Sequence, residues 1–424
     1  MTEHQEATVS DEHATAQRLR RLIEMDGAGS WPPKVAHGPS WPAALRPYHD
    51  IYIEMAPVLP VYPPSVDSEA NAIRIATFRS RIRNLFHDKI NLSEVESLLI
   101  AAERGESSPF PLDARNGFFA CIALSRHAYR WGVIPVVKVA QDEKFIDMPL
   151  ELNVPWAFLQ RIYGVTSHGG NVTSNYFYNF DKDDNLVYEI NHGMPKMIQT
   201  AEHHFARIFP VLEKLALPIY HEMVKSMIAF DRGQREQCLE SLKEISTSLR
   251  LPLKAFYDTL VNSKIDRSVW LSYCQGFQGW AAGEMKDGVY VEYDGLSGNQ
   301  LPFFHFVDAF IGMPPYLSEE NMQRYIPAAQ RHFTASLREH SFRTKAKEMG
   351  DVEIEAEMEK IVKQMRVFRE AHRARARPYL SAPAPERKVM TAGKSVLESE
   401  KIPDSNAAIE FLFKLLAGRL KQTV

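Results

Sequence analysis

The chain has 424 residues, 45% of them hydrophobic and 24% charged, enough to bury one large core or two moderate ones. Lys plus Arg number 50 against 53 Asp plus Glu, for a net charge of -3, which argues against a nucleic-acid or anionic-membrane surface and points to small-molecule partners. The three scattered cysteines, Cys121, Cys238 and Cys274, suit neither a disulfide framework nor a thiolate zinc site. The N-terminus is polar and no run approaches the ~18 apolar residues of a membrane span, so a cytoplasmic protein is expected, as a monomer or weak oligomer.

Residues 1–66 read as an N-terminal arm, partly irregular. A short helix is predicted near Ala16 to Met25, followed by a stretch rich in Trp and Pro (Trp31, Pro32, Pro33, Trp41, Pro42, Pro60, Pro63, Pro64) that should lie extended on the body. Residues 67–195 read as a small helical domain. Three-and-four spacing predicts helices over 70–104 and 116–131, whereas Gly164 to Tyr188 has no period and reads as a loop or broken helix that could cover a pocket.

Residues 196–424 read as a larger helical domain. Ile198, Ala201, Phe205, Ile208, Leu212 and Leu215 form one seam, and further helices are predicted over 219–230, 234–262, 266–281, 300–312, 320–340, 351–377 and 405–421. The one clear strand signal is Gly288 to Tyr293. The predicted fold is all-α, a small N-terminal layer on a larger C-terminal bundle.

In the segment 351–380, Ile354, Met358, Ile361, Met365 and Phe368 step by four, three, four and three, and the next step of four is His372. At about 100° per residue this imidazole falls near the middle of the apolar stripe and should be buried. A metal on one ring nitrogen is one arrangement that stabilises it there; a core or surface histidine bonded to a carbonyl is the alternative. HExxH is absent, and His203, His204, His13 and His37 show no interval that zinc sites use. A lone histidine suits haem iron, which needs only one axial ligand from the protein, and Arg366, Arg369, Arg373, Arg375 and Arg377 could meet its propionates.

FREAHRARARPYL, followed by a Pro-rich loop and MTAGKS, resembles the end of indoleamine 2,3-dioxygenases, where the proximal haem histidine precedes a flexible GTGG-type loop. YRWG (Tyr129 to Gly132), NVPW (Asn153 to Trp156), GFQGW (Gly276 to Trp280), DGVYVEYDGLSG (Asp287 to Gly298), FVDAFIGM (Phe306 to Met313) and MQRYIPAAQRHF (Met322 to Phe333) follow in the family's order. The resemblance implies haem b with His372 as its iron ligand. The implied reaction inserts dioxygen across the C2–C3 bond of an indole-type, tryptophan-derived ring. A haem-dependent monooxygenase, a ring-rearranging enzyme and a non-catalytic haem or gas-binding protein are the alternatives.

The same resemblance implies that Arg369 and Asp308 form a buried pair near the ligand, against the alternative of an unrelated surface arginine and acid. It places Ser297 and Gly298 on a small-residue loop over the haem, and Thr391 and Gly393 on the GTGG-type loop, with Met390, Ala392 and Lys394 as departures. Where the tryptophan-cleaving enzymes carry two phenylalanines and, four residues on, an arginine that holds the substrate carboxylate, this chain has Val269, Trp270 and Cys274. Lys394 is the candidate substitute cation. On the distal helix the seam favours Phe205 and Phe209 as inward residues; His204 nearer the flank is a candidate distal hydrogen-bond donor, or else a solvated or capping histidine.

Overall fold

The computed structural model describes residues 13–106, 109–380 and 384–388 and, beyond these, 390–391, 394–395, 410, 414 and 417–423. Helices dominate them. The N-terminal part holds α1 (Ala14–Arg21), α2 (Arg46–Met55), α3 (Ser68–Lys89), α4 (Leu92–Glu103), α5 (Leu112–Trp131) and α6 (Leu150–Tyr163). α7 (Lys196–Asp231), α8 (Arg235–Ser248), α9 (Arg250–Thr259), α10 (Pro302–Phe310), α11 (Ala328–Glu339) and α12 (Val352–Leu380) follow, with shorter turns between them. One apolar cluster runs through both parts, from Leu19 to Tyr379.

Helix ends fall where the local chemistry stops the ladder. Asp67 caps α3 by accepting from the Glu69 and Ala70 amides at 3.0 and 3.1 Å. The single helix expected over 70–104 is two, because Asn91 leaves the helix and its side chain caps α4. Gly132 and Gly164 end α5 and α6 at φ +66° and +67°, the left-handed conformation that glycine adopts without a Cβ clash. Pro252 and Pro327, which have no N–H to offer, sit at the starts of α9 and α11 and divide the helices expected over 234–262 and 320–340.

α6 occupies a stretch whose periodicity predicts no element, because Pro155 interrupts it. The carbonyl that Pro155 leaves without a donor, that of Glu151, accepts instead from the Tyr48 hydroxyl at 2.7 Å. α7 is one helix of 36 residues that joins the 198–215 seam to the segment 219–230 and carries Pro210 and Pro218 inside it.

The arm is less extended than expected. It contains α2, and Trp31 and Trp41 are buried, with the Trp31 indole donating to the Glu213 carboxylate at 2.8 Å. The strand signal at 288–293 is one half of a hairpin: β1 (Ala282–Lys286) pairs antiparallel with β2 (Val289–Tyr293). Its turn, Asp287 and Gly288, has φ of +49° and +78°, as a two-residue hairpin loop requires. Of the helix expected over 405–421, residues 410, 414 and 417–422 are helical and the remainder lies outside the described residues. Among the described residues no helix is long and apolar enough to cross a membrane.

Candidate active site

α12 carries the apolar stripe into the bundle, with Ile354, Met358, Ile361, Met365 and Phe368 all buried. His372 continues it. Its ring lies parallel to Phe368, centroids 6.0 Å apart at 4°, and meets the Phe256 edge of α9 at 5.4 Å. Its Nδ1 is buried and has no hydrogen-bond partner. Loss of hydration lowers its pKa to about 4, so the imidazole is neutral at pH 7 and keeps a lone pair free for a ligand bond.

Three residues before His372, Arg369 reaches Asp308 of α10, its Nη2 2.6 Å from both carboxylate oxygens. Two partners come from the end of the chain. Arg419 donates to Asp308 Oδ2 at 2.5 Å, and Thr423 Oγ1 accepts from Arg369 Nη1 at 2.7 Å. The carboxylate is therefore shared by two part-buried guanidiniums, and α12 is tied to α10 and to the C-terminal segment together.

Of the other arginines around His372, Arg375 and Arg366 face other neighbours, and the Arg377 side chain lies outside the described residues. Arg375 packs 4.4 Å over the Tyr257 ring and donates to the Tyr257 carbonyl at 2.9 Å. Arg366 is exposed on an outer groove with Glu359, Lys363 and Glu370. Helical spacing puts Arg375 about 120° round α12 from Arg369, so the two serve different neighbours.

A wall of rings approaches the same helix from α7. Phe209 stacks on Tyr176 at 4.7 Å, Phe205 stands edge-on to Phe209 at 5.7 Å and to Trp270 at 5.7 Å, and Trp270 meets Tyr379 at 5.5 Å. Tyr379 lies seven residues after His372, on the same face of α12. The buried Trp270 indole nitrogen has no partner. The stretch 164–188 is a largely irregular segment whose residues 171–180 are buried; it supplies Tyr176 to this wall.

Trp270 and Cys274 belong to a π-helical turn, Trp270–Gln275. Cys274, together with Phe205, Tyr176, Glu202 and Gln278, lines a small cavity. Burial pushes the Cys274 thiol well above its usual range and the Glu202 carboxyl up to about 7, although Glu202 accepts hydrogen bonds from the Ile190 and Asn191 amides at 2.8 and 3.0 Å.

His204 does not join the wall. It is partly exposed, and besides its partial desolvation it feels His203, Lys264 and Arg207, which lower its pKa. Ser297 accepts from the Asn299 amide at 3.3 Å and opens a short turn, and a Cβ added at Gly298 would meet nothing within 4 Å, so this loop borders open space. The backbones of Thr391 and Lys394 pair in a two-residue hairpin, β3 (Met390–Thr391) with β4 (Lys394–Ser395); their side chains, and Ala392 and Gly393 entirely, lie outside the described residues.

A family model for indoleamine 2,3-dioxygenase matches residues 119–410. The chain belongs to the indoleamine 2,3-dioxygenase family. No curated protein matches it. As a member of this family it keeps the all-α fold and carries, on α12, a histidine whose Nδ1 finds no protein partner.

Sequence reasoning did not reach Tyr379, Phe256, Arg419 or Arg387. Tyr379 was within reach, since continuing the 354–372 stripe by one heptad lands on it. Arg387 is buried, its Nη2 donates to Gln275 Oε1 at 2.8 Å, and its Nε and Nη1 have no partner. Nothing local in PAPERKV marks it as an interior residue.

Proposed function

We propose that this indoleamine 2,3-dioxygenase family member is a haem-dependent oxygenase that inserts dioxygen into an indole-type ring, with His372 as the protein ligand to iron. The observation that carries this reading is the half-buried, neutral His372 imidazole, whose buried Nδ1 has no partner, between Phe256 and Phe368. These residues fit the group: apolar ring walls suit a macrocycle, and a neutral imidazole suits iron. Bound haem would supply dioxygen activation; the protein supplies orientation and a dry pocket.

On this reading Asp308 and Arg369 fix the α12 turn that bears His372. Phe205, Phe209 and Trp270 form the apolar wall against which a planar ring lies, and their packing excludes water from it. Ser297 and Gly298 leave room for the substrate at the pocket's edge. Cys274 offers no charge to a substrate carboxylate, which favours an indole without a free one. The same difference favours, as a second reading, oxygenation or ring rearrangement of a modified indole; identification of the product by mass spectrometry separates the two.

An optical spectrum of the ferrous protein with and without carbon monoxide tests the cofactor, and titration with indoles tests the substrate class. His372→Ala should fold with the parent's helix content and retain little haem. Normal haem content with an unchanged Soret band in that variant would overturn the assignment.

A further inference from the structure

We propose a divalent transition-metal site away from the pocket, formed by His13, Asp231 and His340. The three residues are far apart in sequence and each ends a helix: His13 is the N-cap of α1, Asp231 the last residue of α7 and His340 the C-cap of α11. Asp231 Oδ2 lies 3.3 Å from His13 Nε2 and 3.3 Å from His340 Nδ1. The three ligand atoms all lie within 4.8 Å of one another, and the two imidazoles are tilted by 56° with centroids 4.6 Å apart.

The spacing is that of ligands. Ligand atoms about 2.0–2.1 Å from a tetrahedral zinc stand about 3.3–3.4 Å from one another. Charge-assisted hydrogen bonds between an imidazolium and a carboxylate close to about 2.7–2.9 Å. Two edges of the triangle thus already have the tetrahedral length, and only the His13–His340 edge must close. Two imidazoles with one carboxylate select borderline metals such as Zn2+, Ni2+ or Co2+ over Mg2+ and Ca2+. The side chains are 15%, 36% and 26% exposed, so a fourth position is open to water.

Coordination has a local consequence. His13 Nδ1 now accepts from the Thr15 amide at 3.2 Å, and ligation through Nε2 moves the ring proton to Nδ1 and releases that cap. The metal would exchange one hydrogen bond of α1 for a bond from α1 to the ends of α7 and α11.

Isothermal titration of the untagged full-length protein with Zn2+ and with Ni2+ tests the proposal. One equivalent should bind in the micromolar range or tighter, and His340→Ala, His340→Gln and Asp231→Asn should each weaken it by at least about tenfold. Thermal unfolding should shift upward with saturating Zn2+ in the parent and not in the variants, whose helix content is checked by circular dichroism. Absence of a binding equivalent in the parent, or an equivalent that persists unchanged in Asp231→Asn and His340→Gln, would overturn it.

Discussion

A single nitrogen of Arg369, Nη2, lies 2.6 Å from both carboxylate oxygens of Asp308, with the side chains 10% and 3% exposed. The second guanidinium on the same carboxylate, Arg419, is 14% exposed. Asp308→Ala would leave two largely desolvated cations without a counter-ion, at a cost of about 3–5 kcal/mol. Arg419→Ala leaves Asp308 paired with Arg369 and should cost less, about 1.5–3 kcal/mol for a lost charge-assisted bond. Urea unfolding of the two variants should give that order; equal losses would show that the carboxylate is not the common centre.

Phe205 and His204 are neighbours in sequence with different surroundings. Phe205→Ala removes the ring that connects Phe209 to Trp270, and should weaken indole binding by about tenfold or more through lost apolar contact. His204→Ala removes a partly exposed side chain outside the wall and should leave binding within about twofold. The substrate-induced shift of the Soret band measures both.

Free L-tryptophan should be a poor substrate. A lost charge-assisted contact of about 2–3 kcal/mol weakens binding roughly 100-fold, and Cys274 cannot restore it. Arg387 holds Gln275 beside Cys274, and Arg387→Ala should lower stability without changing the ratio of L-tryptophan to uncharged indole turnover. Turnover of L-tryptophan at a kcat/KM of about 10⁴ M⁻¹s⁻¹ or more would show the expectation wrong. A selective loss of that turnover in Arg387→Ala or Lys394→Ala would then identify the cation responsible.

Stability should depend on pH through two opposed sets of buried groups. Burial lowers His37, His127, His168 and His305 to about 4, so between about 6.5 and 4 each takes up a proton only on unfolding, and stability falls as pH falls. Burial raises Asp26, Glu202 and Glu213 to about 7, so between about 4.5 and 7 each releases a proton only on unfolding, and stability falls as pH rises. His372 adds a fifth lowered imidazole, and five groups against three make stability rise with pH between about 4.5 and 6.5, with loss below about 4.5 and again from about 6.5 to 7. Glu213→Gln removes one opposing group, and denaturant midpoints of that variant should rise more steeply with pH across 4.5–6.5.

The sequence by itself determined the helical class, the stripe that carries His372 inward and the family, because apolar spacing and ordered local motifs are one-dimensional signals. The 354–372 stripe needed no neighbour to be read. Elements with prolines inside them were not legible in the same way. α6 persists through Pro155 because Tyr48, more than a hundred positions earlier, accepts the role of hydrogen-bond donor to Glu151. α7 continues through Pro210 and Pro218 within a packed bundle. Only the tertiary structure decided which charges meet. Arg369 and Arg375 look alike in FREAHRARAR, yet one finds a buried aspartate and the other an aromatic face, because six positions on a helix of 3.6 residues per turn point to different neighbours. Arg419, Arg387 and the His13–Asp231–His340 triangle depend on contacts between distant segments, for which periodicity and spacing hold no signal.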